Sequence, residues 1–491
     1  MDKRSLAECE GMNFGTLNYV ILGVYLLGML GIGLRFARKQ RTREDYFLAG
    51  RNMPWLPVAM SMFASVTSAV TFMGVPAISY NGNLALLAAC VVSPLVLPLL
   101  ITVLYPVYRN MRATTSYEYI GVRFGPRTRY AVSALFVLAR LGWMGTVIYA
   151  PAVALTIATG IPQWAAILLM GTVATLYTVM GGLAAVLWTD LVQFIILVAG
   201  AIWVAIALVH AVPDGFAGIV ATAVAAGKAD VWVVSLGTMN ILAVAVSFYL
   251  SMLQEYGTDQ VTVQRLLSVR TNKGVTKAAM FNAGTDFTMI ALLTFIGIAL
   301  FAFYKSVAGL PPGITGKSIL PYYIMTSLPQ GVSGLIISAV FAAAMSSMDS
   351  GINSLVTVIE HEFVTRMSHE AKAGDHEVRR ARYLTLILGL TATGLAFYAA
   401  RIGDIIEAFF TFMSLFNAPV LALFILGILS SHTRSWAWLV GVAVSIPGTL
   451  WLQNVAEVHW VYYFPFSFAC TFAVGWCASL LLPQRQEQVH E

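Results

Sequence analysis

Charge is what this chain has least of. Only 11% of its 491 residues are Asp, Glu, Lys or Arg while 58% are hydrophobic, whereas soluble domains carry about 25% charged residues. That ratio excludes an ordinary soluble domain. Cysteine is nearly as scarce: Cys9, Cys90, Cys470 and Cys477 have no metal or redox spacing. The last three lie in apolar runs and read as small packing residues. HEF at His361–Phe363 is not the HExxH of a metalloprotease, and neither a P-loop nor any other nucleotide or metal motif is present. No catalytic constellation appears, so the reading is not an enzyme. The net charge of +6 is a matter of topology and not a nucleic-acid footprint. Short alternating strands are missing too, which excludes a transmembrane barrel. Finally, the first apolar run is too long for a cleaved signal peptide, and its basic cluster follows it. Residues before Met12 read as unstructured, and Met12 is an alternative start.

What the chain has is apolar runs, each long enough to cross a ~30 Å hydrocarbon layer as a helix. Thirteen are read, at about 16–37, 54–80, 84–107, 131–159, 163–180, 184–210, 239–266, 278–304, 331–362, 381–400, 405–430, 435–453 and 460–482. Alternate connections hold 22 of the 29 Lys and Arg residues, in the stretches Arg35–Arg51, Arg109–Arg129, Arg265–Lys277 and Arg366–Arg382 and at Arg434 and Arg485. The positive-inside rule puts that side in the cytoplasm, so the N-terminus is expected outside and the C-terminus inside. An odd helix number requires the same arrangement. The class is therefore an all-α polytopic protein of the inner or plasma membrane. No stretch reads as a soluble signalling domain, and the sequence leaves the oligomeric state unknown.

The most informative stretch is FAAAMSSMDSGINS, Phe341 to Ser354. Ala343, Ser346, Ser347 and Ser350 share one helix face, flanked by Asp349 and Asn353. Hydroxyls, carbonyls and a carboxylate are ligands for a hard cation, and such a face is costly in hydrocarbon unless it lines a cavity or binds something. It reads as half of a sodium site. The second helix carries Ser65-Val66-Thr67-Ser68 with Gly74 and Pro76 beyond, a composition suited to a helix that unwinds near the midplane. The alternative is Ser and Thr bonding back to their own helix. Asp190 in the sixth helix either faces the serine stripe or pairs structurally with Thr189 or Arg265. Arg140 in the fourth helix could grip a carboxylate, snorkel, or pair with an acid such as Asp190. In the seventh, Ser251, Gln254, Tyr256, Gly257 and Asp259 mark a second broken helix or a cytoplasmic exit, and Phe248 and Tyr249 are candidate cavity walls or packing residues.

EDYFLAGR (Glu44–Arg51), TSYEYIGVRFG (Thr115–Gly125), VIYAPAVAL (Val147–Leu155), GGLAAVLWTDLVQ (Gly181–Gln193) and DQVTVQR (Asp259–Arg265) together resemble the sodium:solute symporter family, from about Tyr19 to the last helix. VIYAPA, YGTDQVTVQR and SAVTFMGVP lean toward the branch of iodide, multivitamin and monocarboxylate symporters, while helix count and spacing also resemble bacterial sialic acid symporters. The resemblance implies a LeuT-type 5+5 inverted repeat. Residues 1–15 would be an extracellular tail, 16–482 one transporter domain and 483–491 a cytoplasmic tail. Within the domain, 16–37 would be an extra helix, 54–210 and 239–430 the two repeats, and 435–482 two further helices.

For the site, it implies a common sodium position on carbonyls of Ala64, Thr67 and Ala343 and hydroxyls of Ser346 and Ser347. A second, found in some members, would use Asp190, Ser346, Asp349 and Ser350; Asp349 stands where sialic acid symporters have Ser. The solute pocket would be lined by Val66, Ser68, Thr71, Trp143 and Phe248, with Arg140 as a displaced clamp, because Trp143 replaces the Arg of sialic acid symporters. That replacement disfavours sialic acid. The expected activity is sodium-coupled import of a small organic solute by alternating access. A monocarboxylate or similar small anion comes first, and a neutral or zwitterionic solute such as an amino acid or vitamin is the alternative. An uncoupled sensor or channel with the same fold is a more distant one. Expected partners are the solute, sodium ions and the bilayer; nucleic acid is not among them, and sodium takes the place of any cofactor.

Overall fold

The computed structural model describes residues 14–37, 42–232, 235–312, 314, 316–364, 375–399, 411–430 and 432–481. Local rules start the chain. α1 (Thr16–Ala37) is a 22-residue apolar rod, and α2 (Arg43–Leu48) opens on a capping box. There Thr42 Oγ1 accepts the Asp45 N–H while Asp45 accepts the Thr42 N–H, satisfying two orphan donors reciprocally. α3 (Trp55–Val66) and α4 (Ala69–Asn81) are one span bent by 57°. The run from Leu84 to Asn110 contains α5 (Ala88–Leu99) and α6 (Tyr105–Asn110), followed by the short α7 (Tyr117–Phe124) and the 34-residue α8 (Pro126–Thr159).

α9 (Gln163–Ala211) is written by its backbone as one helix but is two. Gly182 has φ 56° and ψ −161°, outside helical space. Tyr177 and Gln193 would stand about 24 Å apart on a straight helix, yet both reach the same neighbours: Tyr177 Oη donates to the Met345 carbonyl (3.2 Å), Tyr25 Oη to the Met345 sulfur (3.6 Å), and Gln193 Nε2 to Tyr25 Oη (3.3 Å). The chain therefore folds back at Gly181–Gly182, where two helices had been expected.

After α10 (Gly215–Ala225), α11 (Ile241–Gly257) and α12 (Gln260–Ser268) are separated at Thr258–Asp259, with Asp259 capping α12. α13 (Asn272–Phe303) and α14 (Ile319–Ser327) lead to α15 (Val332–Val358), then come α16 (Asp375–Ala399), α17 (Ala418–Leu429), α18 (Ser435–Asn454) and α19 (Tyr463–Leu481). Among the described residues nine helices are long and apolar enough to cross a membrane, and the bent α3–α4 pair makes a tenth. Counting the two arms of α9 separately and adding the shorter apolar helices at Ile241–Gly257 and Met413–Leu429 gives the thirteen read from the sequence. The first residues of the eleventh expected helix, 405–410, lie outside the described residues, as do both terminal tails except Phe14 and Gly15.

α15 is the hub, with 94% of its most apolar window buried inside the protein. Only a surrounded helix can carry Ser346, Ser347, Asp349, Ser350 and Asn353 at 2% exposure or less. The basic connections are tied to neighbouring segments. Arg109 donates to the Val269 carbonyl, Arg51 to the carbonyls of Arg112 and Ala113, and Arg129 and Arg380 grip Glu362 and Glu360. Elsewhere, Lys228 caps the end of α4 through the carbonyls of Ser79, Tyr80 and Gly82.

Candidate functional site

The site begins where α3 stops. Thr67 N–H returns to the Phe63 carbonyl and Ser68 N–H to that of Val66, so the carbonyls of Ala64 and Ser65 are released from the usual ladder. Ser68 then caps α4 through Thr71 N–H (3.4 Å). The serine stripe of α15 answers those carbonyls. Ser346 Oγ lies 2.7 Å from Ala64 O and 3.2 Å from Ala343 O; Ser347 Oγ lies 2.9 Å from Ser65 O and 3.2 Å from Ala343 O. Four of the five residues expected at the common sodium position thus meet directly, and Thr67 sits at the break beside them. The set is all oxygen and includes hydroxyls that can turn their protons away from a cation, which suits a hard ion of sodium's kind.

One turn further along α15 is a fully buried polar cluster. Asp190 Oδ2 accepts from Ser61 Oγ (2.5 Å) and from Arg265 Nη2 (3.2 Å). Arg265 also donates to Ser350 Oγ, to Ser61 Oγ (2.8 Å) and to the Val261 carbonyl (2.9 Å). Ser350 Oγ lies 3.1 Å from Asp349 Oδ1, and Tyr177 Oη donates to Asp349 Oδ2 at 2.6 Å. The side chains of Asp190, Asp349 and Ser350 therefore gather, but around Arg265. Of the pairings open to Asp190, Arg265 is realised, while Thr189 bonds back to its own helix at Ala185 and Val186. Asp190 Oδ1 stays buried without a hydrogen bond among the described residues. Two carboxylates face one guanidinium here.

Against the same α3–α4 break lies a cavity of about 130 Å³. Val66, Ser68, Thr71, Trp143 and Phe248, all expected in the solute pocket, line it. Arg140 does not. Its Nη2 is 2.5 Å from Asp259 Oδ2, and its guanidinium lies 4.5 Å from the Trp143 ring centroid, under the cavity wall. The expectation of a free clamp, or of a partner at Asp190, is corrected: the break between α11 and α12 puts Asp259 within reach, and a buried guanidinium takes the nearest carboxylate.

Among the lining residues the sequence reading passed over are two acids, Glu255 and Asp286. Asp286 Oδ2 accepts from Ser93 Oγ (3.0 Å), Asn282 Nδ2 (3.1 Å) and Tyr256 Oη. The signal was available, since an acid inside an apolar run is a functional candidate by default.

A family model for the sodium:solute symporter family matches residues 46–443. The sodium/sialic acid symporter of Aliivibrio fischeri is 31% identical over 461 residues, covering 92% of this chain and 91% of that protein. Human sodium-coupled monocarboxylate transporter 2 is 29% identical over 462 residues, covering 92% and 74%. Among solved structures, a substrate-bound, outward-open Na+-coupled sialic acid symporter matches with a TM-score of 0.89 at 29% identity, over 96% of this chain and 98% of that one. A nucleobase-cation-symport-1 family transporter in a closed conformation matches at 13% identity with a TM-score of 0.54, over 89% and 95%, a likeness of fold alone.

Proposed function

We propose, for a chain that belongs to the sodium:solute symporter family, that the break between α3 and α4 is where the coupling ion and the solute meet. A multi-pass membrane symporter that moves a small organic solute with sodium follows from that membership. The finer reading assigns the ion to the carbonyls of Ala64, Thr67 and Ala343 and the hydroxyls of Ser346 and Ser347. One observation carries it: the segment that presents Ala64 to the serine stripe continues directly into Val66, Thr67 and Ser68, which line the cavity. An ion that fixes this break fixes one wall of the solute site, and alternating access then carries both inward.

A second ion falls to Asp190, Ser346, Asp349 and Ser350. The excess of one carboxylate over Arg265 and the unpartnered Asp190 Oδ1 support it. Energetically, one sodium supplies about 1.4 kcal/mol from a tenfold gradient and about 2.3 kcal/mol from 100 mV. With a monoanion and one sodium the electrical part cancels, so a second ion restores strong accumulation.

For the solute, a small anion has no basic partner in the cavity, because no lining residue is Lys, Arg or His and Arg140 is held by Asp259. That favours the neutral or zwitterionic class over the monocarboxylate. The test is uptake of labelled monocarboxylates, amino acids, vitamins, iodide and sialic acid into proteoliposomes under an inward sodium gradient. Sodium-dependent accumulation of a neutral or zwitterionic solute is expected. Accumulation of solutes without any sodium dependence would overturn the ion assignment, and monocarboxylate uptake alone would restore the anion reading.

A further inference from the structure

Two helix faces line the cavity together with the α3–α4 break. On α11, Phe248, Ser251, Met252 and Glu255 stand at i, i+3, i+4 and i+7; on α13, Asp286, Met289, Ile290 and Leu293 do the same, and all eight line the cavity. Each face is apolar or neutral apart from one carboxylate. Asp286 is locked by its three donors. Glu255, partly exposed, has no hydrogen bond or ion pair among the described residues, and it lines a wall that also presents the rings of Phe63, Trp143, Phe248 and Tyr256. A carboxylate without a bonded partner, set beside aromatic rings in a solute-sized cavity, suits a cation, and ring faces favour organic ammonium groups. Sodium alone is a poor match, because it needs several oxygens around it and the neighbours of Glu255 on its own face are a phenylalanine, a serine and a methionine.

We infer that the transported solute carries a protonated or quaternary nitrogen, as an amino acid, betaine or amine does, and that Glu255 receives it against the aromatic wall. This rests on the cavity being the solute site of the sodium symporter proposed above.

The test uses the full chain in lipid nanodiscs, with thermal stabilisation titrated in sodium and in potassium buffers. Probes are amino acids, betaines, simple amines, their N-acetylated or hydroxyl counterparts, and short monocarboxylates. A sodium-specific shift without solute reports on the ion reading independently. In sodium, nitrogen-cation solutes are expected to stabilise and their neutral counterparts to fail, and Glu255→Gln is expected to weaken apparent affinity at least about tenfold. The comparison of each amine with its N-acetylated form needs no variant, so a failure of Glu255→Gln to fold leaves the test intact. The inference is overturned if no nitrogen-cation solute binds, if acetylated or monocarboxylate probes bind as well as amines, or if Glu255→Gln changes the sodium response while leaving solute preference unaltered.

Discussion

Arg265 makes four hydrogen bonds in a fully buried setting, and its removal strands Asp190. Breaking a buried pair from one side costs about 3–5 kcal/mol. Arg265→Gln is therefore expected to lower thermal stability severely, and Asp190→Asn in the same chain to recover part of the loss; equal loss in the single and double variants would mean that the pair does not interact. Ser346 and Ser347 predict a different signature. Replacing both with Ala removes two oxygens from the ion position but no charge, so the sodium concentration for half-maximal uptake should rise about tenfold or more, since that corresponds to only ~1.4 kcal/mol of lost ion binding. An unchanged sodium dependence would reject the assignment. At this scale the sequence was readable where residue type demanded a polar neighbour, as with the serine stripe, which meets the Ala64 and Ser65 carbonyls. It was not readable where a partner decides the role: Arg140 has several acids within plausible reach on the sequence, and only the packing of α8 against the α11–α12 break selects Asp259.

The bend within the α3–α4 span could be anticipated from the run of small and polar residues at Ser65–Ser68, whereas around Gly257 and Asp259 the same composition fitted either a broken helix or a helix end. The fold-back in α9 was legible from its double glycine, but the reason lies in packing. A Cβ on Gly182 would stand 2.9 Å from the ring and the carbonyl of Tyr46, and φ is +56°. Gly182→Ala is therefore expected to cost about 1–3 kcal/mol through backbone strain alone, before the clash. A melting temperature within error of the parent would show that the turn relaxes freely. The α11–α12 break depends on Asp259, which caps α12 through Val261 N–H (2.8 Å) and holds Arg140. Asp259→Ala loses both functions and frees a buried guanidinium beside the cavity. We expect lower stability together with weaker binding of nitrogen-cation solutes and stronger binding of small carboxylates, read from the same titrations.

Across the whole molecule, α7 and the end of the span carrying α15 are latched by Glu118. Its Oε1 accepts Thr114 N–H (2.7 Å) and Thr115 N–H (3.1 Å) and lies 3.0 Å from His361 Nε2. Burial pushes the Glu118 carboxyl up, but the hydrogen bond and charge of His361 with the two N–H groups outweigh it and hold it at about 2, below its ordinary 4.5. The latch thus contributes fully above pH about 4.5 and is lost as pH falls toward 2. The stability gap between the parent and Glu118→Gln should close over that window, and a constant gap would refute the latch. HEF carried no catalytic reading, and its neighbours explain why: Glu360, His361 and Glu362 each bind a different segment, at Arg380, Glu118 and Arg129. Helix number was legible because hydrocarbon thickness fixes run length, whereas cavity lining depends on which faces of α11 and α13 turn toward one another. That division of labour bears on engineering. Val66 and Ser68 belong to the segment to which the coupling ion is assigned, so retargeting the transporter there should disturb its energy source. The wall formed by Phe248, Ser251 and Glu255 lies on α11 and contains no proposed sodium ligand, and libraries built on it should yield new solute preferences that still run on the same gradient.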